Sequence, residues 1–280
     1  MSGPATSLKT VEDRIRSTII ENNLVRGITH AVSPNIGRCE LTFMERVPID
    51  YDLAVEQHHE YCKMLARRGV AVTTLYDNLS FADCCFVEDT AIVVDELAII
   101  ASMGAVSRRS ETTAVASELA KYRELVCVSY PSTLEGGDVL QAGKNIFVGL
   151  STRTNHRGIE EVVRILKALD YRIVPVPVRG SLHLTTACSL IDDETVLINP
   201  RWADADSFHN FRILNTPEDE PWGANTFRIG ETVCLEASFQ KTIDMVHDVH
   251  DDLEVLNISE FLKAEGGLSC LSLIFQSPTR

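Results

Sequence analysis

The run Gly266-Gly267-Leu268-Ser269-Cys270 places a thiol at the mouth of the chain's last apolar segment, Leu271–Phe275. Two glycines permit a tight backbone entry, and Leu268, Ser269 and Cys270 then read as an extended run that presents the thiol to a cavity. Free cysteine is among the most buried residue types, so Cys270 alone reads as packing. Its company points to chemistry. In Asp83-Cys84-Cys85-Phe86-Val87-Glu88-Asp89, acids bracket an apolar run. Strand alternation there puts Asp83 and Asp89 on one face and Glu88 on the other. In Glu135-Gly136-Gly137-Asp138, two carboxylates flank glycines that let backbone approach a neighbour closely. In Leu182-His183-Leu184, a histidine sits between apolar residues. Singly, these are solvent-facing acids, a turn and a hydrogen-bonded structural histidine. Together they supply a nucleophile, an acid–base group and carboxylates, the Cys/His/acid logic of covalent catalysis.

The acids narrow the substrate. A thiol protease needs N–H donors for a developing oxyanion, whereas an excess of carboxylates suits a centre that stays cationic during attack. A guanidinium fits, being planar, rich in N–H donors and permanently charged. Its charge also favours the thiolate of Cys270 once it is bound. Arg108-Arg109, and Arg153 within Ser151-Thr152-Arg153-Thr154-Asn155, are candidates to clamp a carboxylate at the ligand's other end. A cation at one end and a carboxylate at the other describe an arginine-like amino acid.

The whole-chain balance agrees. A formal net charge of −14 argues against nucleic acid, which needs clustered Lys and Arg, and can draw in a small cation. The eight cysteines (39, 62, 84, 85, 127, 188, 234 and 270) show neither CxxC nor paired-histidine spacing, so neither a zinc cluster nor a disulfide framework is read. Scattered thiols fit a reducing compartment, and with no membrane-length apolar stretch or signal-peptide core the expectation is a cytoplasmic protein without membrane partners.

The elements that must hold these residues alternate. Residues 1–27 read as an amphipathic helical extension (Leu8, Val11, Ile15, Ile19, Leu24), packed on its own body or forming a homodimer contact, and 28–280 as a single catalytic domain. Helices are expected at 52–68, 111–123, 157–169 and 238–249, with strands at Leu125–Val128 and Arg172–Val176. Hairpin-like apolar pairs begin near Phe86, Gly137, Leu184, Asn225 and Leu268, at intervals of roughly 40–50 residues. This recurrence predicts strand–helix modules closing into a ring, with the strand near Ile28–Val32 beside the last one. An open α/β sheet is the competing architecture.

Phe86-Val87-Glu88-Asp89, Ser107-Arg108-Arg109, Glu135-Gly136-Gly137-Asp138, Ser151-x-Arg153-Thr154-Asn155, Leu182-His183-Leu184 and Gly266–Cys270 occur in the order of the motifs of the dimethylarginine dimethylaminohydrolases, and from about Thr29 to Phe275 the chain resembles that family. The resemblance implies an α/β pentein fold, a propeller of five strand–helix modules in pseudo-fivefold arrangement. It implies that Cys270 is the nucleophile and His183 the general acid–base, with Glu135 orienting His183 or holding the guanidinium. Glu88 and Asp89 would bind the guanidinium side, Asp83 would lie near the α-amino group, and Arg108 and Arg153 would take the α-carboxylate. Leu41 matches a lid leucine, while the following Glu45-Arg46-Val47-Pro48 departs from the family pattern. The implied reaction is hydrolysis of Nω-methylated arginines to citrulline and dimethylamine or methylamine through an S-alkylthiouronium on Cys270, with no metal and no organic cofactor. Arginine deiminase and citrulline-cleaving enzymes share the same core and are the nearest alternatives. A non-catalytic pentein binding protein would be expected to lack Cys270, His183 or the acids.

Overall fold

The computed structural model describes residues 23–278. The chain enters with β1 (Asn23–His30), crosses through helix α1 (Tyr51–Arg67) and returns in β2 (Ala71–Leu75), parallel to β1. The next module opens with β3 (Ala91–Val93), which pairs antiparallel with β4 (Leu97–Ile100); helix α2 (Thr112–Leu119) then leads to β5 (Glu124–Cys127), parallel to β4. The same order recurs in β6 (Val139–Ala142), β7 (Asn145–Leu150), helix α3 (His156–Leu166) and β8 (Arg172–Pro177). It recurs again in β9 (Cys188–Leu190), β10 (Thr195–Ile198) and β11 (Arg212–Asn215), where a 3-10 turn at Ala205–Phe208 replaces the crossover helix. A fourth repeat is β12 (Phe227–Ile229), β13 (Thr232–Glu236), helix α4 (Gln240–His247) and β14 (Leu253–Leu256). The last strand, β15 (Leu273–Pro278), pairs antiparallel with β1 from Ile28–Leu273 outward and completes the first module. Five three-stranded sheets result, and the chain's two ends close the ring.

The side chains explain why the modules hold together. Five buried apolar clusters each join residues of two neighbouring modules. Successive residues of a strand point to opposite faces. In β4, Ile99 therefore packs toward α3 (Ile159, Val162), while Ala98 and Ile100 pack toward β1 and β15 (Ile28, Phe275). In β7, Ile146 and Val148 face one neighbour and Phe147 the other, stacked on Phe208 with ring centroids 4.5 Å apart. Middle strands buried on both faces are apolar over consecutive residues, as in Leu97–Ile100 and Val196–Ile198. The helices cover the outside: α1 starts where the Asp50 carboxylate accepts the Leu53 N–H, and it buries Ala54, His58, Tyr61 and Leu65 at helical spacing.

The ring, the pairing of the first and last strands and the four helices match the expectation, with ends moved by a few residues. Two local readings change. The strand expected at Ile28–Val32 begins at Asn23, so residues 23–27 belong to β1 rather than to an N-terminal helix; the rest of that expected helix lies outside the described residues. The reactive motifs are not strand starts. A short helical turn precedes each inner strand: Val87–Thr90, Gly136–Asp138, Leu184–Ala187, Pro221–Ala224 and Ser269–Leu271. Leu268 is itself helical (φ −62, ψ −41), so Cys270 lies on a turn, and the alternation argued for Asp83, Glu88 and Asp89 does not apply.

Candidate active site

These turns meet at one end of the ring, and glycine makes the meeting possible. A Cβ on Gly136 would lie 2.0 Å from the Glu88 carbonyl oxygen, and one on Gly137 would lie 2.5 Å from Asp89 Oδ1 and 2.9 Å from the His183 ring. The glycine pair thus seats Glu135 and His183 against the Glu88–Asp89 turn. His183 Nε2 bonds Glu135 Oε2 at 2.7 Å, and Nδ1 faces Asp89 Oδ1 at 3.5 Å. The other Glu135 oxygen accepts the Gly104 N–H at 2.9 Å and lies 3.5 Å from Arg153 Nη1. Burial pulls the His183 pKa down, but Asp89, the bond to Glu135 and Asp138 outweigh it and raise the pKa to about 9. Burial pushes Glu135 up, and the bond and charge of His183, with Arg108 and Arg153, hold it well below the carboxylate range. At neutral pH His183 is therefore an imidazolium whose Nε2 is anchored and whose Nδ1 proton is the one available for transfer.

Cys270 shares the Glu88–Asp89 turn with His183, since Asp89 acts electrostatically on both. Its Sγ accepts the Gly267 N–H at 3.3 Å, and it is 5% exposed. Burial, then Glu88 and Asp89, push the thiol well above its ordinary range, more than the Gly267 N–H and Ser269 can offset. Glu88 itself is pushed to about 7 by burial and by Asp89. Its Oε2 accepts the Ser269 hydroxyl at 2.9 Å and the Thr185 hydroxyl at 3.4 Å. Asn225 fixes both neighbours, donating to the Thr185 carbonyl and the Ser269 hydroxyl at 2.9 and 3.0 Å. Without a ligand the sulfur is a neutral thiol beside carboxylates, and a cation placed between them reverses that balance.

The expected carboxylate clamp divides in two. Arg108 is 2% exposed and its donors are spent on Asp89 Oδ2 (2.6 Å), Glu111 Oε2 (3.0 Å) and the Phe86 carbonyl (3.0 Å). It pins Asp89 rather than facing a ligand carboxylate. Arg109 turns outward over the Tyr130 ring. Arg153 is different. Among the described residues, its Nη1 and Asp89 Oδ1 are two of four buried side-chain polar atoms without a hydrogen-bond partner. One is a donor and the other an acceptor, both at the same site. Removing a partner from a buried ion pair leaves uncompensated charge, so Arg108→Met is expected to cost about 3–5 kcal/mol of stability in urea denaturation.

Asp83 is buried, and its carboxylate accepts the Glu40 N–H at 3.1 and 3.2 Å. Leu41, half-buried, packs on the cluster that includes Cys270. The departure at Arg46 has a local role, since its guanidinium returns to the carbonyls of Gly37 (2.7 Å) and Cys39 (2.6 Å). Glu265, which the sequence reading missed, holds the other side of this segment. It has a left-handed φ of 56, and its carboxylate accepts the N–H groups of Thr42, Phe43 and Met44 at 2.9, 2.5 and 2.6 Å. It immediately precedes the Gly266–Cys270 loop, so it ties the Leu41 segment to the nucleophile's own loop. Bonds to a charged acceptor contribute about 1.5–3 kcal/mol, so Glu265→Gln is expected to raise KM about tenfold with kcat changed less than about twofold. Steady-state kinetics with a thermal melt as control checks this.

Glu111, Asp138 and Asn225 were also missed as site-forming residues. Glu111 carried a signal, standing three residues after Arg108. Asp138, which accepts the Leu184 N–H and the Ser151 hydroxyl, stood in a quoted motif without a role. Asn225 lies 40 and 44 residues from its partners and gave none. Asp89, Glu135 and His183 offer atoms within 4.8 Å of one another, a spacing that also suits a metal. Those lone pairs are largely spent on each other, and Arg108 and Arg153 already supply positive charge to the carboxylates. The set fits an organic cation at Asp89 better than a metal ion.

Comparison with known proteins gives a consistent picture. The family model described as N,N dimethylarginine dimethylhydrolase, eukaryotic, matches residues 42–206. A Streptomyces coelicolor protein named N(G),N(G)-dimethylarginine dimethylaminohydrolase is 34% identical over 253 residues, covering 89% of this chain and 96% of the relative. One of the same name from Pseudomonas aeruginosa is 30% identical, covering 81% of this chain and 90% of the relative. Among solved structures, a cysteine-to-serine mutant of the Pseudomonas aeruginosa enzyme complexed with citrulline superposes with a TM-score of 0.85. It is 28% identical, and the match covers 90% of this chain and 100% of that one.

Proposed function

The chain belongs to the dimethylarginine dimethylaminohydrolase family, and we propose that it hydrolyses Nω-methylated arginines to citrulline and dimethylamine or methylamine. The observation that carries this reading is a pair of buried atoms that make no hydrogen bond, only ion-pair contacts at 3.5 Å: an acceptor on Asp89, near His183, and a donor on Arg153, near Glu135. A guanidinium brings N–H donors to Asp89 and Glu88, and an α-carboxylate brings acceptors to Arg153. The Asp83 carboxylate, beside the Glu40 backbone, is the partner for an α-amino group.

The reaction follows from the charges. Docking of the guanidinium offsets Glu88 and Asp89, and the Cys270 thiol passes its proton to water. Sγ forms a bond to the guanidinium carbon. His183, already an imidazolium, gives its Nδ1 proton to the methylated nitrogen; the C–N bond breaks, and the amine leaves neutral. An S-alkylthiouronium remains on Cys270. Neutral His183 then takes a proton from water at Nδ1, and the hydroxide adds to the same carbon. The C–S bond breaks, the added hydroxyl gives its proton to the departing sulfur, and citrulline leaves as the thiol reforms. Glu135 keeps Nε2 anchored throughout.

The deciding experiment is a parallel assay of citrulline or amine release from asymmetric dimethylarginine, monomethylarginine, arginine and citrulline. Preference for the methylated substrates is expected, while a clear preference for arginine would move the chain to the deiminases. We place the enzyme in the cytoplasm on its eight free cysteines, which suit a reducing compartment. No described helix is long and apolar enough to cross a membrane.

A further inference from the structure

The site has a second side. A cavity of about 340 Å³ starts at Glu88, Thr185 and Ser269, on the turns that carry the reactive residues, and follows the inner strands β6, β9 and β12 to Gln141, Leu190 and Arg228 at their far ends. It therefore runs along three inner strands from the turns that carry Glu88 and Ser269, the neighbour of Cys270, toward their far ends, where Gln141 is exposed. The Glu88 carboxylate, on the wall of this space with its two hydroxyl donors, also interacts with the Cys270 thiol. Arg228 is the one cation on the cavity wall, and it pairs outward with Asp193 at 2.8 Å and with Glu231 at 3.9 Å. Its Nε has no partner among the described residues and remains a donor at the mouth. With two acids on one guanidinium, the far mouth is net anionic.

The chemistry requires such a space. On the proposed function, the amine is released while the rest of the substrate is still covalently bound to Cys270, and water must enter before that remainder leaves. The front of the site is then filled by the tethered amino acid, beside the Leu41 segment, which Asp83 holds through Glu40 and Glu265 holds through Phe43. We propose that the cavity behind Glu88 is a binding and exit site for the small alkylammonium product, held by the Glu88 carboxylate, and the entry path for the hydrolytic water. The neutral amine that leaves the carbon gains a second proton from water and becomes a cation that the carboxylate and hydroxyls can hold. The space is ample, against the roughly 30 Å³ that one water occupies in the liquid.

This proposal rests on the proposed function for the ligand's identity, but its test separates the two. The probe is dimethylammonium chloride on the full chain. Calorimetry is expected to show saturable binding that citrulline does not displace and that weakens about tenfold in Glu88→Gln. Gln141→Trp, at the exposed far mouth, and Leu190→Trp, inside the cavity, should block that binding and leave the Kd for citrulline unchanged. In turnover both should lower kcat about tenfold and let the Cys270 adduct accumulate. Dimethylammonium that competes with citrulline, or plugged variants that fold and turn over like the unmodified chain, would overturn the rear site. A chain that binds dimethylammonium behind Glu88 yet turns over no methylated arginine would refute the function and leave the site standing.

Discussion

Replacing Cys270 with serine is expected to lower turnover of asymmetric dimethylarginine about ten-thousand-fold while leaving the fold and citrulline binding intact. The substitution is nearly isosteric, and the Gly267 N–H that meets the sulfur can meet a hydroxyl equally well. What disappears is a nucleophile that a nearby cation can ionise. A hydroxyl would need a general base, and the imidazole of His183 is already protonated, with its pKa raised to about 9 and its Nε2 bonded to Glu135. The same electrostatics predict how the native thiol reacts. In the free protein, burial and the carboxylates of Glu88 and Asp89 keep it neutral, so a neutral alkylating agent should be slow at pH 7. A cationic amidine electrophile lowers the thiol pKa as it binds and should react about 100-fold faster, since an adjacent opposite charge shifts a pKa by about 1–3 units. Comparable turnover by the serine variant would remove Cys270 from the chemistry.

His183→Gln is expected to lower kcat about a thousandfold, within the range that a positioned acid–base contributes. Glutamine can still bond Glu135 but cannot supply the proton that the departing amine needs. The pH profile separates this role from a structural one. With the imidazolium as the acting acid, kcat/KM of the native chain should fall as pH rises through about 9, and the variant should lose that limb. Stability should follow the same group. The folded pKa lies above the usual 6.5, so the folded state binds the proton more tightly than the unfolded chain. That contribution is complete below pH 6.5 and is lost as pH rises through about 9. The melting temperature of the native chain should fall across this window by more than that of His183→Gln. Equal slopes would show that His183 is not held as an imidazolium in the folded state.

Much of the site was legible because its residues sit in short motifs with a distinctive composition. Glu135 and Asp138 flank a glycine pair, and the close approach that those glycines imply proves to be the packing of one turn on Glu88, Asp89 and His183. The ring was legible from the recurrence of apolar hairpin pairs at intervals of roughly 40–50 residues. The local conformation of the reactive residues was not. A helical turn of three or four residues is too short to show a 3.6-residue period, so Val87–Thr90 and Ser269–Leu271 read as extensions of the strands that follow. Arg108 and Arg109 look equivalent as neighbours, yet one is buried between Asp89 and Glu111 and the other faces Tyr130. That division depends on which way a turn at Val106–Arg108 faces, which composition does not encode. Asn225 and Glu265 act on residues about 40 to more than 200 positions away, through side chains whose partners only the closed ring brings near. The cavity behind Glu88 is likewise a property of the ring and of no single segment.

The most direct test of a covalent route through Cys270 is the mass of the peptide containing it after acid quench during turnover of asymmetric dimethylarginine. The expected result is an adduct on Cys270 equal to the substrate less dimethylamine, formed and consumed fast enough to account for citrulline release. Turnover of the same substrate with Cys270 unmodified at every time point would contradict it.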